Sequence, residues 1–228
     1  MFERCVKLSI TKHKSVYRFF LLTVVYTLLT ACSVFGVRSE EEIKYKVISK
    51  QDDFEIREYD SYIKAYTNID RAYKNAGRIG FNRLFDYISG YNQAQQKISM
   101  TAPVIINLIE KPENNNVKIN MTAPVLVSQN KQGWQYSFVM PSFFTIENTP
   151  KPLDENVKLM AVAKKTVAVY SFNGLLDEDE YQANSQILKR WLKENDYSSV
   201  SSSYMAGFDP PWTLPMFRRN EMLIDIKR

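Results

Sequence analysis

The residue types that most often carry chemistry are scarce in this chain, and their positions decide what it can do. Of 228 residues, one is histidine and two are cysteine. Cys5 and His13 both precede an apolar run at residues 19–29, and Cys32 follows it closely. Beyond Cys32 there is no imidazole and no thiol, so neither a Ser-His nor a Cys-His nucleophile pair can be assembled there. An imidazole or thiolate ligand to a metal is excluded on the same ground. The densest carboxylate run is Asp177, Glu178, Asp179 and Glu180. A helix dipole favours acids at its N-terminus, and Asp177 with Glu180 has the spacing of a capping box, so the run reads as a helix start and not as a metal site. The 7 glycines form neither a phosphate loop nor a dinucleotide fingerprint. Carboxylate-only catalysis stays open, but the residue set favours a binding module over an enzyme.

The first residues read as an address. Arg4, Lys7, Lys12, Lys14 and Arg18 stand against Glu3 alone and lead directly into the apolar run, the layout of a signal peptide. That run is about 11 residues, against the roughly 20 that a spanning helix needs. Leu29-Thr30-Ala31-Cys32 then resembles the lipobox of bacterial lipoproteins, in which small residues fit the signal peptidase and a nucleophilic thiol accepts the lipid. The expected organisation is a leader at 1–31, a lipidated Cys32 (palmitate-type chains) with a tether to residue 43, and one domain at 44–228. The resemblance implies a membrane partner through the lipid anchor and a place in the cell envelope, and Ser33 fits the outer membrane's periplasmic face in a Gram-negative cell. Loss of residues 1–31 removes five bases and one acid from 30 Lys and Arg and 25 Asp and Glu, leaving 25 and 24. The basic character belongs to the leader, so no nucleic-acid partner is expected. With Cys32 acylated, no disulfide can form, and the domain must be held by its core.

Alternating apolar and polar residues predict strands at 45–49, 54–59 and 62–69. Asp70 is then placed to cap a helix running to about Ser89, with Gly77, Phe81, Leu84, Phe85 and Ile88 on one face and Gly90 ending it. Strands follow at 98–108, 117–128, 134–140, 157–163 and 166–172. A second helix starts at Asp177 with Tyr181, Asn184, Leu188, Trp191 and Leu192 on its inner face, and strands at 204–208 and 221–226 close the chain. The order strand, helix, strand pair thus occurs twice, which predicts a pseudo-duplicated α+β domain with two helices on a curved sheet or distorted barrel.

An octapeptide recurs almost unchanged, Lys97-Ile98-Ser99-Met100-Thr101-Ala102-Pro103-Val104 and Lys118-Ile119-Asn120-Met121-Thr122-Ala123-Pro124-Val125. Turn-forming residues at 111–116 separate the copies, so they can face each other as arms of one hairpin. Each proline removes a ladder donor and implies a bend, bulge or edge. The copies hold no ionisable catalytic group, and an architectural role suits them. Residues 208–217, Phe-Asp-Pro-Pro-Trp-Thr-Leu-Pro-Met-Phe, form a proline-rich loop of the kind that lines sites or covers barrel ends.

The repeated Met-Thr-Ala-Pro-Val, with Phe54-Glu55-Ile56-Arg57-Glu58-Tyr59, the stretch from Gly80-Phe81-Asn82-Arg83 to Gly90, Phe138-Val139-Met140-Pro141 and Arg218-Arg219-Asn220-Glu221, closely resembles the SOUL haem-binding family. The resemblance runs from about Tyr45 to Arg228. It implies a distorted antiparallel β-barrel flanked by two α-helices, and tetrapyrrole binding in an apolar groove beside the first helix. On that pattern Arg78 falls where a base faces a haem propionate, and Phe81 and Phe85 fall at apolar contacts. Asp86 stands where a lysine is found in the family and would repel a carboxylate. Lacking histidine beyond the leader, iron would have to rely on Tyr or Met, with Tyr87 or Met216 nearby. The resulting expectation is a lipid-anchored, non-enzymatic carrier or buffer that binds haem or another flat apolar ligand weakly. Two alternatives stand beside it: a gyrase-inhibitor-like domain that binds or hydrolyses another small molecule, and an envelope scaffold without a small ligand.

Overall fold

The computed structural model describes residues 40–109 and 133–227. The leader, Cys32, the predicted strand at 117–128 and the second octapeptide lie outside the described residues. The strands are β1 (Glu41–Glu42), β2 (Tyr45–Gln51), β3 (Phe54–Tyr59), β4 (Tyr62–Ile69), β5 (Thr101–Ala102), β6 (Val104–Ile109), β7 (Gly133–Val139), β8 (Lys158–Val162), β9 (Lys165–Phe172), β10 (Ser198–Ser199), β11 (Tyr204–Gly207) and β12 (Asn220–Lys227). The helices are α1 (Tyr73–Ile88) and α2 (Glu178–Glu194). One curved antiparallel sheet runs β2-β3-β9-β12-β11-β6-β7-β4-β8, with β10 added on β12, while β1 and β5 form a separate parallel pair.

The strand order carries the duplication. Exchanging β3 with β8, β4 with β9, β6 with β11 and β7 with β12 turns the path from β3 to β8 into its own reverse. The centre is the antiparallel β6·β11 pair, where Met205 lies opposite Ile106. Each unit is a strand pair, a helix and a second strand pair. The first strand of each unit crosses into the other, β3 pairing with β9 and β8 with β4. The halves are therefore interlocked.

Both helices cover one face of this sheet. Trp134 of β7 is 1% exposed and meets the ring of Tyr73, at the start of α1, edge-on at 4.8 Å, and that of Tyr181 in α2 at 5.3 Å. Around it Ile56, Ala65, Leu84, Leu188, Met205, Met222 and Ile224 form the main core. At α2, Asp177 caps as its spacing predicts, Oδ1 accepting from the Glu180 N–H at 2.9 Å. At α1 the N-cap is Ala72, without a side-chain cap bond, and Asp70 lies before it. Gly90 does follow the helix, with φ +119°, a conformation that favours glycine.

The buried face of α1 is Ala76, Gly80, Leu84, Tyr87 and Ile88, rotated from the predicted one. The cause is a close approach: a Cβ on Gly80 would lie 2.5 Å from Cδ2 of Tyr136. The helix seats its small residues on β7, and this turns Phe81 and Phe85 to its flank. Of the two octapeptides expected to form a hairpin, only the first lies within the described residues. Thr101 and Ala102 of the first copy pair with β1, and beyond Pro103 the strand β6 is flanked by β7 and β11. Met100-Thr101-Ala102-Pro103 is thus a crossing point, where Thr101 donates to the Val139 carbonyl.

Candidate functional site

Arg78, Phe81 and Phe85 stand at i, i+3 and i+7 of α1 and so share one stripe of the helix. Phe81 packs edge-on against Phe138 of β7 at 5.3 Å and stacks on Phe85 at 5.9 Å with 12° between the rings. Phe85 itself remains 46% exposed. The result is an aromatic platform with its inner half anchored in the core, an exposed guanidinium toward the helix N-terminus, and the exposed Asp86 beside its outer ring. A flat apolar molecule can rest on such a surface, and an anionic substituent directed toward Arg78 is favoured over one directed toward Asp86.

The other two predicted contacts are placed elsewhere. Tyr87 is 1% exposed and its hydroxyl donates to the Pro150 carbonyl at 2.7 Å. Burial pushes this phenol up to about 12, so at neutral pH it offers no phenolate. Met216 is 66% exposed on a 3-10 turn (Pro215–Phe217). Gly174 donates to the Pro215 carbonyl, and Tyr73 donates to the nearby Leu176 carbonyl, which ties this turn toward the α1 N-terminus without joining it to the Phe81–Phe85 pair. Among the described residues no group of three or more His, Cys, Asp or Glu side chains converges. The platform offers two aromatic rings and one guanidinium, and these residues supply no axial ligand to iron.

On the opposite face of the sheet, two of the motifs singled out by sequence meet. Arg57 of β3 donates to Glu55 at 2.7 Å and to Glu221 of β12 at 2.9 Å. Arg219 reaches the other oxygen of Glu221 at 2.8 Å and also holds Glu42 of β1 at 3.0 Å. Glu221 is fully buried and Arg57 nearly so. Burial alone would lower the Arg57 pKa, yet Glu221 and Tyr59 outweigh it and the net shift is upward. The guanidinium of Arg57 lies 4.4 Å from the centre of the Tyr45 ring, and that of Arg219 3.8 Å from the Phe208 ring. Every charge in this chain of residues has an opposite neighbour, so its task is to fix β1, β3 and β12 together. Sequence alone did not mark it, since Arg57 and Glu221 are separated by most of the chain and only their motifs were visible.

The family model described as SOUL heme-binding protein matches residues 40–117 and 107–225. Heme-binding protein 1 of Xenopus laevis is 29% identical over 195 residues, covering 82% of this chain and 91% of the relative. Heme-binding protein 2 of Homo sapiens is 27% identical, covering 74% and 76%. Among solved structures, the C-terminal domain of EcmrR superposes with TM-score 0.55 at 12% identity over 81% of this chain and 98% of that one. A hydrolase from Listeria innocua gives 0.52 at 8% identity over 79% and 94%. These two similarities concern the fold alone. The match of the family model over most of the chain, across both halves of the fold, shows that the chain belongs to the SOUL heme-binding protein family.

Proposed function

We propose that this chain is a lipid-anchored, non-enzymatic binder of haem or another tetrapyrrole, acting as a carrier or buffer at the cell envelope. The observation that carries the reading is the half-exposed Phe81–Phe85 stack with Arg78 on the same stripe, in a chain whose relatives are named heme-binding proteins. The macrocycle lies on the two rings, and one carboxylate turns toward Arg78. Iron takes no part in holding it through this helix, so binding is weak and its spectrum lacks histidine ligation. Attachment follows from the leader and from Leu29-Thr30-Ala31-Cys32. Acyl chains contribute about 0.8 kcal/mol per buried methylene, and the stretch from Cys32 to residue 43 serves as the tether, its last residues held to the domain by the pairing of β1 with β5.

Titration with haemin, followed at the Soret band, tests the site. Phe85→Ala removes apolar contact worth about 2 to 3 kcal/mol, whereas Arg78→Ala removes an exposed ion pair worth about 1 or less. The expected order of affinities is wild type, then Arg78→Ala, then Phe85→Ala. The opposite order in folded variants, or no Soret change with the wild type, refutes the platform.

A further inference from the structure

The sheet face away from the helices curls around a second apolar cluster that includes Ile105, Val167, Val169, Tyr204 and Leu223, because the short connections 60–61 and 163–164 carry the chain between the two edges of the sheet. On one side of Tyr204 and Lys165 it opens into a groove of about 400 Å³. Three lysines, Lys64, Lys164 and Lys165, line this groove against a single acid, Asp225. Asp225 is already committed, holding Lys165 at 2.9 Å through both oxygens and accepting from the Tyr204 hydroxyl at 2.6 Å. Lys164 turns to Glu58 at 2.7 Å. Lys64 has no carboxylate within ion-pair distance among the described residues, and donates only to the neutral amide oxygen of Gln135 at 3.1 Å. Beside it Asn107 carries a buried Oδ1 with no hydrogen-bond partner; a half-turn of this amide would present its NH2 to an acceptor instead. Tyr62, Ile105, Met160 and Val162 supply apolar wall.

We infer that this groove is a binding site for a small anionic amphiphile, with Lys64 and Asn107 receiving a carboxylate or sulfonate and the apolar wall receiving its body. Native proteins seldom leave a half-buried ammonium without a counter-charge. Burial and the adjacent Lys165 depress the Lys64 pKa against a smaller upward pull from Asp225, which Lys165 and Tyr204 already share, so the cation is under-compensated. The volume lies in the range of small-molecule sites. None of the groove's lining residues belongs to the α1 platform, so this inference stands apart from the function proposed above. The carboxylate has two sources to be distinguished, a free fatty or aromatic acid and the propionate of a tetrapyrrole.

The full-length chain carrying Cys32→Ser is titrated with 1-anilinonaphthalene-8-sulfonate and with N-phenyl-1-naphthylamine, which has the same rings without the sulfonate. Lys64→Met should weaken the sulfonate dye about tenfold or more, the loss expected for one charge-assisted hydrogen bond, and leave the neutral dye within about twofold. Ala163→Trp, at an exposed lining position, should weaken both dyes without touching the lysine, and it covers the case in which Lys64→Met fails to fold. Laurate displacing the sulfonate dye where dodecanol does not supports a free acid. Haemin displacing it from both wild type and Phe85→Ala supports the groove with propionate as the anion. Equal loss of both dyes in Lys64→Met, unchanged sulfonate affinity, or no saturable binding by the wild type overturns the inference.

Discussion

Gly80 and Gly77 stand one turn apart on α1, above the same ring, and should respond to alanine with opposite signs. A Cβ on Gly80 would lie 2.5, 2.7 and 3.0 Å from Cδ2, Cγ and Cβ of Tyr136. Ordinary contact begins at 3.4 Å, so the first of these is about 0.9 Å short. Tyr136 cannot yield easily, being 3% exposed and central in β7. Overpacking of this kind costs about 1 to 3 kcal/mol, and three crowded atoms argue for the upper part of that range. Alanine returns about 1 kcal/mol in helix propensity. Gly80→Ala should therefore destabilise by about 1 to 2 kcal/mol, a fall in Tm of about 2 to 8 °C for a domain of this size. At Gly77 the nearest atom, Tyr136 Oη, is 3.4 Å away, so the propensity gain is retained and Gly77→Ala should raise Tm by about 2 to 4 °C. Urea and thermal unfolding followed by circular dichroism read both. If Gly80→Ala matches or exceeds the wild type, the close seating of α1 on β7 is wrong, and with it the explanation for the exposed Phe85.

Further outcomes follow from the ion network and the caps. Glu221→Ala leaves Arg57 buried without its main partner and should cost about 3 to 5 kcal/mol, seen as a large loss in urea midpoint; a change below about 1 kcal/mol would mean the network is not closed. Glu55 lies below its usual pKa because its bonds to Lys50 and Arg57 outweigh the upward push of burial. Its contribution to stability is present above the unfolded value of about 4.3 and is lost as pH falls through the lower folded value, so Glu55→Gln should flatten that acid limb in pH-dependent unfolding. Asp177→Ala should lower stability by about 1 kcal/mol through loss of the α2 cap, and an unchanged midpoint would remove the cap from the account. Mass spectrometry of the envelope fraction should find an acylated amino terminus at Cys32, and an intact Met1 would contradict the leader.

Strand positions were legible because alternation was strong. The run at residues 62–69 buries Ile63, Ala65, Thr67 and Ile69 toward the helices, and the structure reproduces it to the residue. The same alternation concealed the groove. Lys64 and Lys165 occupy the polar positions of their strands, which in a flat sheet face water, and only the curvature encloses them. For α1, the large apolar residues suggest the inner face, whereas Ala76 and Gly80 allow the closest approach to β7. Small side chains carry packing information that hydrophobicity does not register. Tyr87 reads as a surface ligand in sequence because nothing there reveals the Pro150 carbonyl, supplied 63 residues later.

The crossing of β3 and β8 between the two units has a consequence for any cut in the chain. The segment between β7 and β8 joins the units covalently, but three strand ladders also join them: β3·β9, β4·β8 and β6·β11. A peptide bond broken there would leave two fragments, each lacking a strand that the other holds. They would remain associated under native conditions and, after separation in denaturant, would recover structure only when mixed, as the two parts of a heterodimer.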